Sequence, residues 1–329
     1  MDYVLLGRTG IRIAPLAFGT MSFGGDADRD MAKALYARCR NAGINFFDTA
    51  DMYSAGASEE ILGELIAHER DQIVLATKAY FPMGSGPNDR GSSRYHLQRA
   101  IEASLRRLRT DRIDVFFLHR MDEDTALDET LRAVEDLVRA GKILHPAVSN
   151  FAAWQTMKAL GLQSLHGWSP LVAIQPMYNL AKRQAEVELL PMAASEGLAV
   201  LPYSPLGGGL LTGKYGRTAR PTGGRLVDNP MYGVRYDGTF EVAERFVAFA
   251  HEHGVHPVTL AVAWVAAHPA VTAPLLGARS VEQLEPALAA LSFSMDAALW
   301  EAVGELAPKP PPATDRTEEG SSVELGKTR

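Results

Sequence analysis

The sequence predicts an α/β fold: a closed (β/α)8 TIM barrel with an N-terminal β-hairpin and an extra helix after the long loop that follows the seventh strand. Three observations predict it. Eight short apolar runs of β type follow one another, separated by stretches with helical period. The runs are apolar almost throughout rather than alternating, which is the pattern of parallel strands buried on both faces. The glycine fingerprint of an open nucleotide-binding sheet is missing after the first strand, where Phe18-Gly19-Thr20-Met21-Ser22-Phe23-Gly24-Gly25 stands instead.

The elements follow in order. Val4-Leu5-Leu6 and Ile11-Arg12-Ile13 flank Gly7-Arg8-Thr9-Gly10 and read as a small hairpin with a glycine turn. Leu16-Ala17-Phe18 is the first barrel strand. Runs at 44–47, 73–77, 115–118, 144–148, 172–175, 199–202 and 273–276 supply the other seven. Between two of them, Leu97, Ala100, Ile101, Leu105 and Leu108 share a helix face, with arginines on the other face and Ser93 as N-cap. Cys39 falls in a similar pattern with Leu35 and reads as packing. Residues 204–238, rich in Gly, Pro and Arg, read as a long loop of the kind that is often functional. Val242, Phe246, Phe249 and Ala250 then mark the extra helix. Residues 1–306 form the barrel domain in this reading. Residues 307–329, opening with Pro308, Pro310, Pro311 and Pro312, form a mobile tail that can still fold over a barrel mouth.

Composition narrows the function classes. With 33 basic against 39 acidic residues, the chain lacks the footprint of a general nucleic-acid binder. No apolar stretch approaches the ~20 residues of a membrane helix, and the N-terminus has no signal-peptide pattern. A single cysteine excludes an internal disulfide and fits a reducing cytoplasm. His251, His253 and His256 cluster without the spacing of a helical zinc motif, so no metal is expected. Residues 208–215 have the glycine and lysine spacing of a P-loop but lack the Ser or Thr after Lys214. A role for Lys214 at a cofactor phosphate stays open, as does a flexible turn for the glycines.

Asp48, Tyr53, Lys78 and His119 lie at or just after the ends of three apolar runs. In a barrel those ends converge on one pocket. A phenol of pKa near ~10 is a poor acid at neutral pH, and a neighbouring ammonium lowers that pKa. An aspartate positions the lysine and keeps it charged. A histidine directs a carbonyl oxygen or relays a proton. The set is suited to protonating an oxygen as negative charge develops on it. Singly, the four read as a turn cap, loop packing, a surface lysine and a structural histidine; their joint occurrence at successive strand ends favours chemistry.

Phe18-Gly19-Thr20-Met21, Phe47-Asp48-Thr49-Ala50-Asp51-Met52-Tyr53, Ala76-Thr77-Lys78, Leu118-His119, Val148-Ser149-Asn150-Phe151, Gln175-Pro176-Met177-Tyr178-Asn179, Tyr203-Ser204-Pro205-Leu206 and Gly277-Ala278-Arg279-Ser280 come in that order. In this the chain resembles the aldo-keto reductase superfamily over about residues 3 to 290, nearest to bacterial members related to potassium-channel beta subunits. The resemblance implies reversible reduction of an aldehyde or ketone to an alcohol, with hydride from a nicotinamide. Tyr53 would be the general acid in reduction and the base in oxidation, tuned by Lys78 and Asp48, with His119 orienting the carbonyl. Gly19, Thr20 and Met21 would border the cofactor. Residues like Ser149, Asn150 and Gln175 hold its carboxamide, and one like Tyr203 stacks on its ring. Ser204, Pro205, Leu206, Gly208 and Lys214 fall in the loop over the pyrophosphate. Gly277, Arg279, Ser280 and Gln283 resemble the adenosine-phosphate site, where Arg279 grips a ribose phosphate. NADP(H) is therefore expected ahead of NAD(H).

Two departures stand out. Pro286 and Ala287 replace the acidic residue and asparagine that contact adenine in the family, and Pro146 falls inside a strand, where it removes a donor and is expected to disturb the local register. Met21, Phe23, Met52, Phe81, Met121 and Tyr232 read as an apolar rim for aromatic or bulky carbonyl substrates. The expected partner is a small aldehyde, ketone or alcohol, with neither nucleic acid nor membrane; an oligomer is compatible with the sequence. The alternative is a cofactor-sensing regulatory subunit with little turnover.

Overall fold

A computed structural model of the chain describes residues 2–216 and 221–314. The hairpin pairs β1 (Val4–Leu5) antiparallel with β2 (Arg12–Ile13). Eight parallel strands follow. They are β3 (Ala17–Gly19), β4 (Phe46–Asp48), β5 (Val74–Ala79), β6 (Ile113–Leu118), β7 (Ile143–Ser149), β8 (Ala173–Gln175), β9 (Ala199–Val200) and β10 (Leu275–Leu276). From β3 to β9 each pairs with the next in chain order, and β10 returns to pair with β3. The last seam closes through Thr272 and Leu275, whose N–H groups donate to the carbonyls of Val200 and Pro202, both at 2.9 Å. The result is a closed (β/α)8 barrel with its helices outside. At β9 and β10 the paired strands are shorter than the apolar runs at 199–202 and 273–276.

Alternate residues of each strand serve two cores. Ala17, Phe46, Val115, Phe117, Ala147, Ala173, Ala199 and Leu275 fill the barrel interior. Phe18, Phe47, Leu75, Phe116, Val148, Ile174 and Val200 face the helices. Both faces are apolar, which explains the lack of alternation in the sequence. Leu6 and Ile13 of the hairpin join the interior cluster and are fully buried. The hairpin seats closely against the starts of β8 and β9. A Cβ on Gly7, whose φ is +56°, would lie 2.9 Å from the Val172 carbonyl oxygen, so this turn requires glycine on two counts.

Pro146 leaves the register undisturbed. Pairing of β6 with β7 runs evenly from Ile113–Ile143 to Leu118–Val148, with Phe116 opposite Pro146. The Pro146 carbonyl accepts from Val172 N–H at 2.9 Å. In a parallel ladder the nitrogen of a residue faces the same side as its carbonyl. The Pro146 nitrogen therefore points to where β8 has not yet begun, and no strand acceptor is left without a donor there.

Helix Arg94–Leu108 forms as its pattern predicts. Ser93 caps it, accepting from His96 N–H at 3.3 Å, and Leu97, Ala100, Ile101, Leu105 and Leu108 are buried. The extra helix is Phe240–Glu252. Residues 204–238 are not an unbroken loop: they contain a 3-10 segment, Gly207–Thr212, and short helices Arg225–Asp228 and Pro230–Arg235. Residues 217–220 of that stretch, and 315–329 of the tail, lie outside the described residues. Ala307 is still buried. Just before it, helix Ala297–Gly304 is clamped to helix Pro257–Ala266: Trp264 and Trp300 stack and exchange indole N–H bonds to each other's carbonyls at 3.1 and 3.0 Å. Cys39 is buried, and burial pushes its thiol up. Among the described residues no helix is long and apolar enough to cross a membrane.

Candidate active site

The period of the strands builds the site. Side chains two residues apart on a strand share a face. Two residues beyond the interior members Ala17, Phe46, Ala76, Phe117, Ala147, Ala173, Leu201 and Leu275 stand Gly19, Asp48, Lys78, His119, Ser149, Gln175, Tyr203 and Gly277. The inward series of all eight strands therefore ends on a candidate residue at the C-terminal mouth.

Asp48 and Lys78 form a buried ion pair through Oδ2 and Nζ. Gln175 Nε2 donates to Asp48 Oδ1 at 3.0 Å, and Lys78 Nζ donates to the Thr49 carbonyl at 2.8 Å. The Tyr53 hydroxyl is the third partner of Lys78, at 3.5 Å. Tyr53 is held by an unfavourable backbone. Ser54, Ala55 and Gly56 are all left-handed, at φ 49°, 54° and 97°, before helix Ala57–Ile66 begins. Such conformations persist where the surroundings enforce them. The His119 ring meets the rings of Tyr53 and Phe81 edge-on, at 6.0 and 4.9 Å between centroids.

Burial dominates the electrostatics. It pushes Asp48 up, against Lys78 and Gln175. It works to lower Lys78, but Asp48 and Tyr53 outweigh it and keep the ammonium charged. Tyr53 departs from the sequence expectation. Lys78 does favour its phenolate, yet burial, with help from Asp48, wins and raises the phenol. His119 is pushed well below its ordinary range by burial and by Lys78, so its ring is neutral. Its Nδ1 is buried with no hydrogen-bond partner among the described residues.

Beside this cluster lies a net of polar side chains. Asn150, left-handed at φ 56°, donates from Nδ2 to the His119 carbonyl at 2.9 Å and to Ser149 Oγ at 3.0 Å. Its Oδ1 accepts from the Tyr203 hydroxyl at 2.8 Å. Ser149 Oγ donates to the Gln175 carbonyl at 2.9 Å. A cleft of about 1140 Å³ runs from these groups to the far side of the mouth. Asp48, Tyr53, His119, Gly19, Met21, Ser149, Asn150, Gln175, Tyr203, Ser204, Pro205, Leu206, Gly208, Lys214, Gly277, Arg279 and Gln283 all line it, as do Pro286 and Ala287. At its far end Lys214, Arg225 and Arg279 gather; burial, then Arg279 and Arg225, lower the Lys214 ammonium. Arg279 Nε is 3.0 Å from Asp26.

Not every expected residue lies on the cleft wall. Lys78 lies behind Tyr53, fully buried, and not on the cleft wall. Thr20 turns its hydroxyl to Ser58 Oγ at 2.8 Å and to the Asp48 carbonyl, away from the cleft. Ser280 Oγ accepts from Gln283 N–H at 3.4 Å as the N-cap of helix Val281–Leu288. Met21, Met52, Phe81 and Tyr232 form apolar wall as expected, but Phe23 is fully buried against Phe18 and Met121 packs on the core. His253 stacks on Phe249 and His256 caps helix Pro257–Ala266. No group of His, Cys, Asp or Glu among the described residues is placed to hold a metal. The sequence reading missed Arg120, Arg225 and Arg235 on the cleft wall. Only Arg120 carried a signal, being the residue after His119.

The donor set suits an extended dinucleotide. Amide and hydroxyl groups and an aromatic ring lie at one end and three cations at the other. Between them the run Gly207-Gly208-Gly209, all left-handed, offers backbone that a ligand can approach. A Cβ on Gly209 would sit 3.0 Å from Lys214 Cε.

Comparison with known proteins agrees with this architecture. The chain is similar to an uncharacterized oxidoreductase, YrpG, of Bacillus subtilis (strain 168), with 39% identity over 327 residues, covering 94% of this chain and 97% of that one. It is 35% identical over 300 residues to a probable voltage-gated potassium channel subunit beta of Oryza sativa subsp. japonica, covering 88% and 91%. It is 31% identical over 307 residues to L-glyceraldehyde 3-phosphate reductase of Escherichia coli O157:H7, covering 89% and 88%. The model of the aldo/keto reductase family matches residues 15–308, which span all eight barrel strands, and the chain belongs to that family.

Proposed function

We propose that the protein is a nicotinamide-dependent oxidoreductase that interconverts aldehydes or ketones and alcohols, with NADP(H) preferred over NAD(H). The observation that carries this reading is the Tyr53 hydroxyl at the cleft wall, 3.5 Å from a Lys78 ammonium that is itself buried against Asp48. A nicotinamide cofactor bound in the cleft supplies the hydride. Tyr53 gives its phenolic proton to the carbonyl oxygen as negative charge gathers there. Lys78 faces the phenolate left behind and stabilises it with a charge already oriented before reaction. Asp48 and the Thr49 carbonyl hold that ammonium in place. In oxidation the same phenolate takes the alcohol proton. His119, neutral, orients the carbonyl oxygen without competing as an acid.

Ser149, Asn150 and Gln175 would hold a carboxamide, and Tyr203 would stack on the ring beside it. The cations Lys214, Arg225 and Arg279 support a ligand with more phosphate than a pyrophosphate alone, which favours NADP(H). The Bacillus relative, an oxidoreductase, supports redox chemistry, and the Escherichia relative, an L-glyceraldehyde 3-phosphate reductase, supports carbonyl reduction. A reducing cytoplasm, compatible with the lone buried Cys39, is the proposed setting. The rice relative, a probable channel subunit, supports a second reading, in which the same cleft senses cofactor with little turnover.

Titration with NADPH and NADH, followed by absorbance assays on a panel of aldehydes and ketones, tests both readings. Tight NADPH binding with turnover is expected. Binding without turnover on a broad panel would favour the sensing role. Failure to bind either cofactor would overturn both.

A further inference from the structure

The cleft is cationic although the chain carries a net charge of −6. Five cationic side chains line it: Arg120, Lys214, Arg225, Arg235 and Arg279. The lining carboxylates are Asp48, already neutralised by Lys78, and Glu282. Three of the cations gather at the far end, where Lys214 senses Arg279 and Arg225. Arg120 and Arg235 remain: Arg120 adjoins His119 in the chain, and Arg235 shares the Tyr232 ring with Arg225 and acts electrostatically on Tyr203.

Arg120 follows His119 directly at the end of β6, so its backbone starts within one residue of the ring that faces Tyr53. The same cleft is lined by the apolar Met52 and by Phe81, whose ring meets that of His119. Arg235 reaches the cleft from helix Pro230–Arg235, three strands round the barrel, with its guanidinium 4.7 Å over the Tyr232 ring. Its charge is felt at Tyr203, whose phenol burial pushes up to about 12 while Arg235 opposes the rise. Tyr203 is bonded through Asn150 to the His119 carbonyl. Among the described residues neither Arg120 nor Arg235 has a carboxylate within ion-pair distance. Nor is any hydrogen bond from the Arg120 side chain formed among the described residues, so within them its donors, and the charge of both, face the cleft.

A guanidinium offers a planar fork that fits a carboxylate or phosphate. In a cleft with apolar walls its field is focused rather than dispersed into solvent. We propose that Arg120, seconded by Arg235, is an anion-recognition site. It selects carbonyl substrates with an apolar body and a carboxylate or phosphate at the end remote from the reacting carbon. The inference rests on the reductase reading above and names the substrate class for that same site. It also gives a use to the apolar wall of Met21, Met52 and Phe81, which would hold the body of such a substrate.

Matched pairs test it. With saturating NADPH, 4-carboxybenzaldehyde is compared with its neutral methyl ester, and a short phosphorylated aldehyde with its unphosphorylated parent; the two pairs separate carboxylate from phosphate. The anionic member of at least one pair is expected to have kcat/KM higher by about tenfold or more. Arg120→Gln should collapse that ratio mainly through KM, and Arg120→Lys should restore part of it. Calorimetric binding of benzoate against benzamide gives a readout independent of turnover: benzoate should bind tighter, and Arg120→Gln should abolish the difference. Turnover of both pairs without charge preference would overturn this inference and leave the reductase standing. An equal loss on both members in Arg120→Gln would also overturn it. No turnover of any carbonyl would overturn the reductase reading and this inference with it.

Discussion

Gln175 Nε2 reaches Asp48 Oδ1 at 3.0 Å, so the sixth barrel strand touches the second across the mouth of the barrel. One amide thereby satisfies the carboxylate oxygen that Lys78 leaves over. A buried acceptor that loses its donor carries the full cost of desolvation. Gln175→Leu should therefore destabilise the protein by about 1–3 kcal/mol. It should also weaken cofactor binding, since the same side chain lines the cleft. Denaturant unfolding with parallel cofactor titration checks both; an unchanged midpoint would remove Gln175 from the network.

Tyr53→Phe removes the proton donor while keeping the ring against His119. Turnover should fall by about 10²–10⁴-fold, and cofactor affinity should change little. Lys78→Met is harsher: it strands Asp48 in the barrel interior without a counter-charge, at a cost of about 3–5 kcal/mol. Kinetics and melting curves separate the two. Turnover like wild type in the phenylalanine variant would exclude Tyr53 as the acid.

The pH profile follows from the directions of the shifts. His119 is held neutral by burial and Lys78, so it should contribute no break in kcat/KM for reduction between about pH 5 and 8. Tyr53 is raised by burial. The protonated phenol needed for reduction should persist past its ordinary value of about 10. Alcohol oxidation, which needs the phenolate, should climb with pH instead. Measuring both directions on one substrate pair checks this, and a break near pH 6.5 that vanishes in His119→Asn would contradict it.

Asp51 gives a stability prediction. Both carboxylate oxygens are buried, and among the described residues the Met52 N–H is the donor that faces them. Burial first, then Glu59, push its pKa to about 7, against the Met52 N–H, Arg107 and Lys78. The folded pKa lies above the unfolded one. The unfolded chain therefore loses this proton first, and the folded state is progressively penalised as pH rises from about 4 to 7. Asp51→Asn removes that penalty. The gain in melting temperature of the variant should grow across this window and level off above it; parallel curves would show that Asp51 does not titrate in the fold.

The barrel was legible because burial on both faces leaves a mark that solvent-facing sheets lack: runs such as Val115–Leu118 with no polar alternation. The inward set from Gly19 to Gly277 was legible because each member breaks an apolar run with a polar residue or a glycine. Phe23 and Met121 were misplaced because an apolar residue after a strand reads alike whether it faces a cleft or the core. Thr20 and Ser280 make internal bonds that the residue type alone did not reveal, because a hydroxyl serves a cap or a buried bond as readily as a ligand. Arg225 and Arg235 were invisible because residues 204–238 have no period to say which side chains point inward. Pro146 was feared because a one-dimensional reading cannot tell that its neighbour strand starts late.

The inward positions have a consequence for engineering. Asp48, Lys78 and His119, which surround the Tyr53 hydroxyl, are anchored by strand neighbours locked in the barrel interior, such as Phe46 below Asp48 and Phe117 below His119. The walls that meet the substrate ride elsewhere. Met21, Phe81, Arg120 and Tyr232 sit on connections after β3, β5, β6 and β9. Transplanting those connections between relatives, or randomising them in a library, should alter the range of accepted compounds while the melting temperature stays near that of the parent.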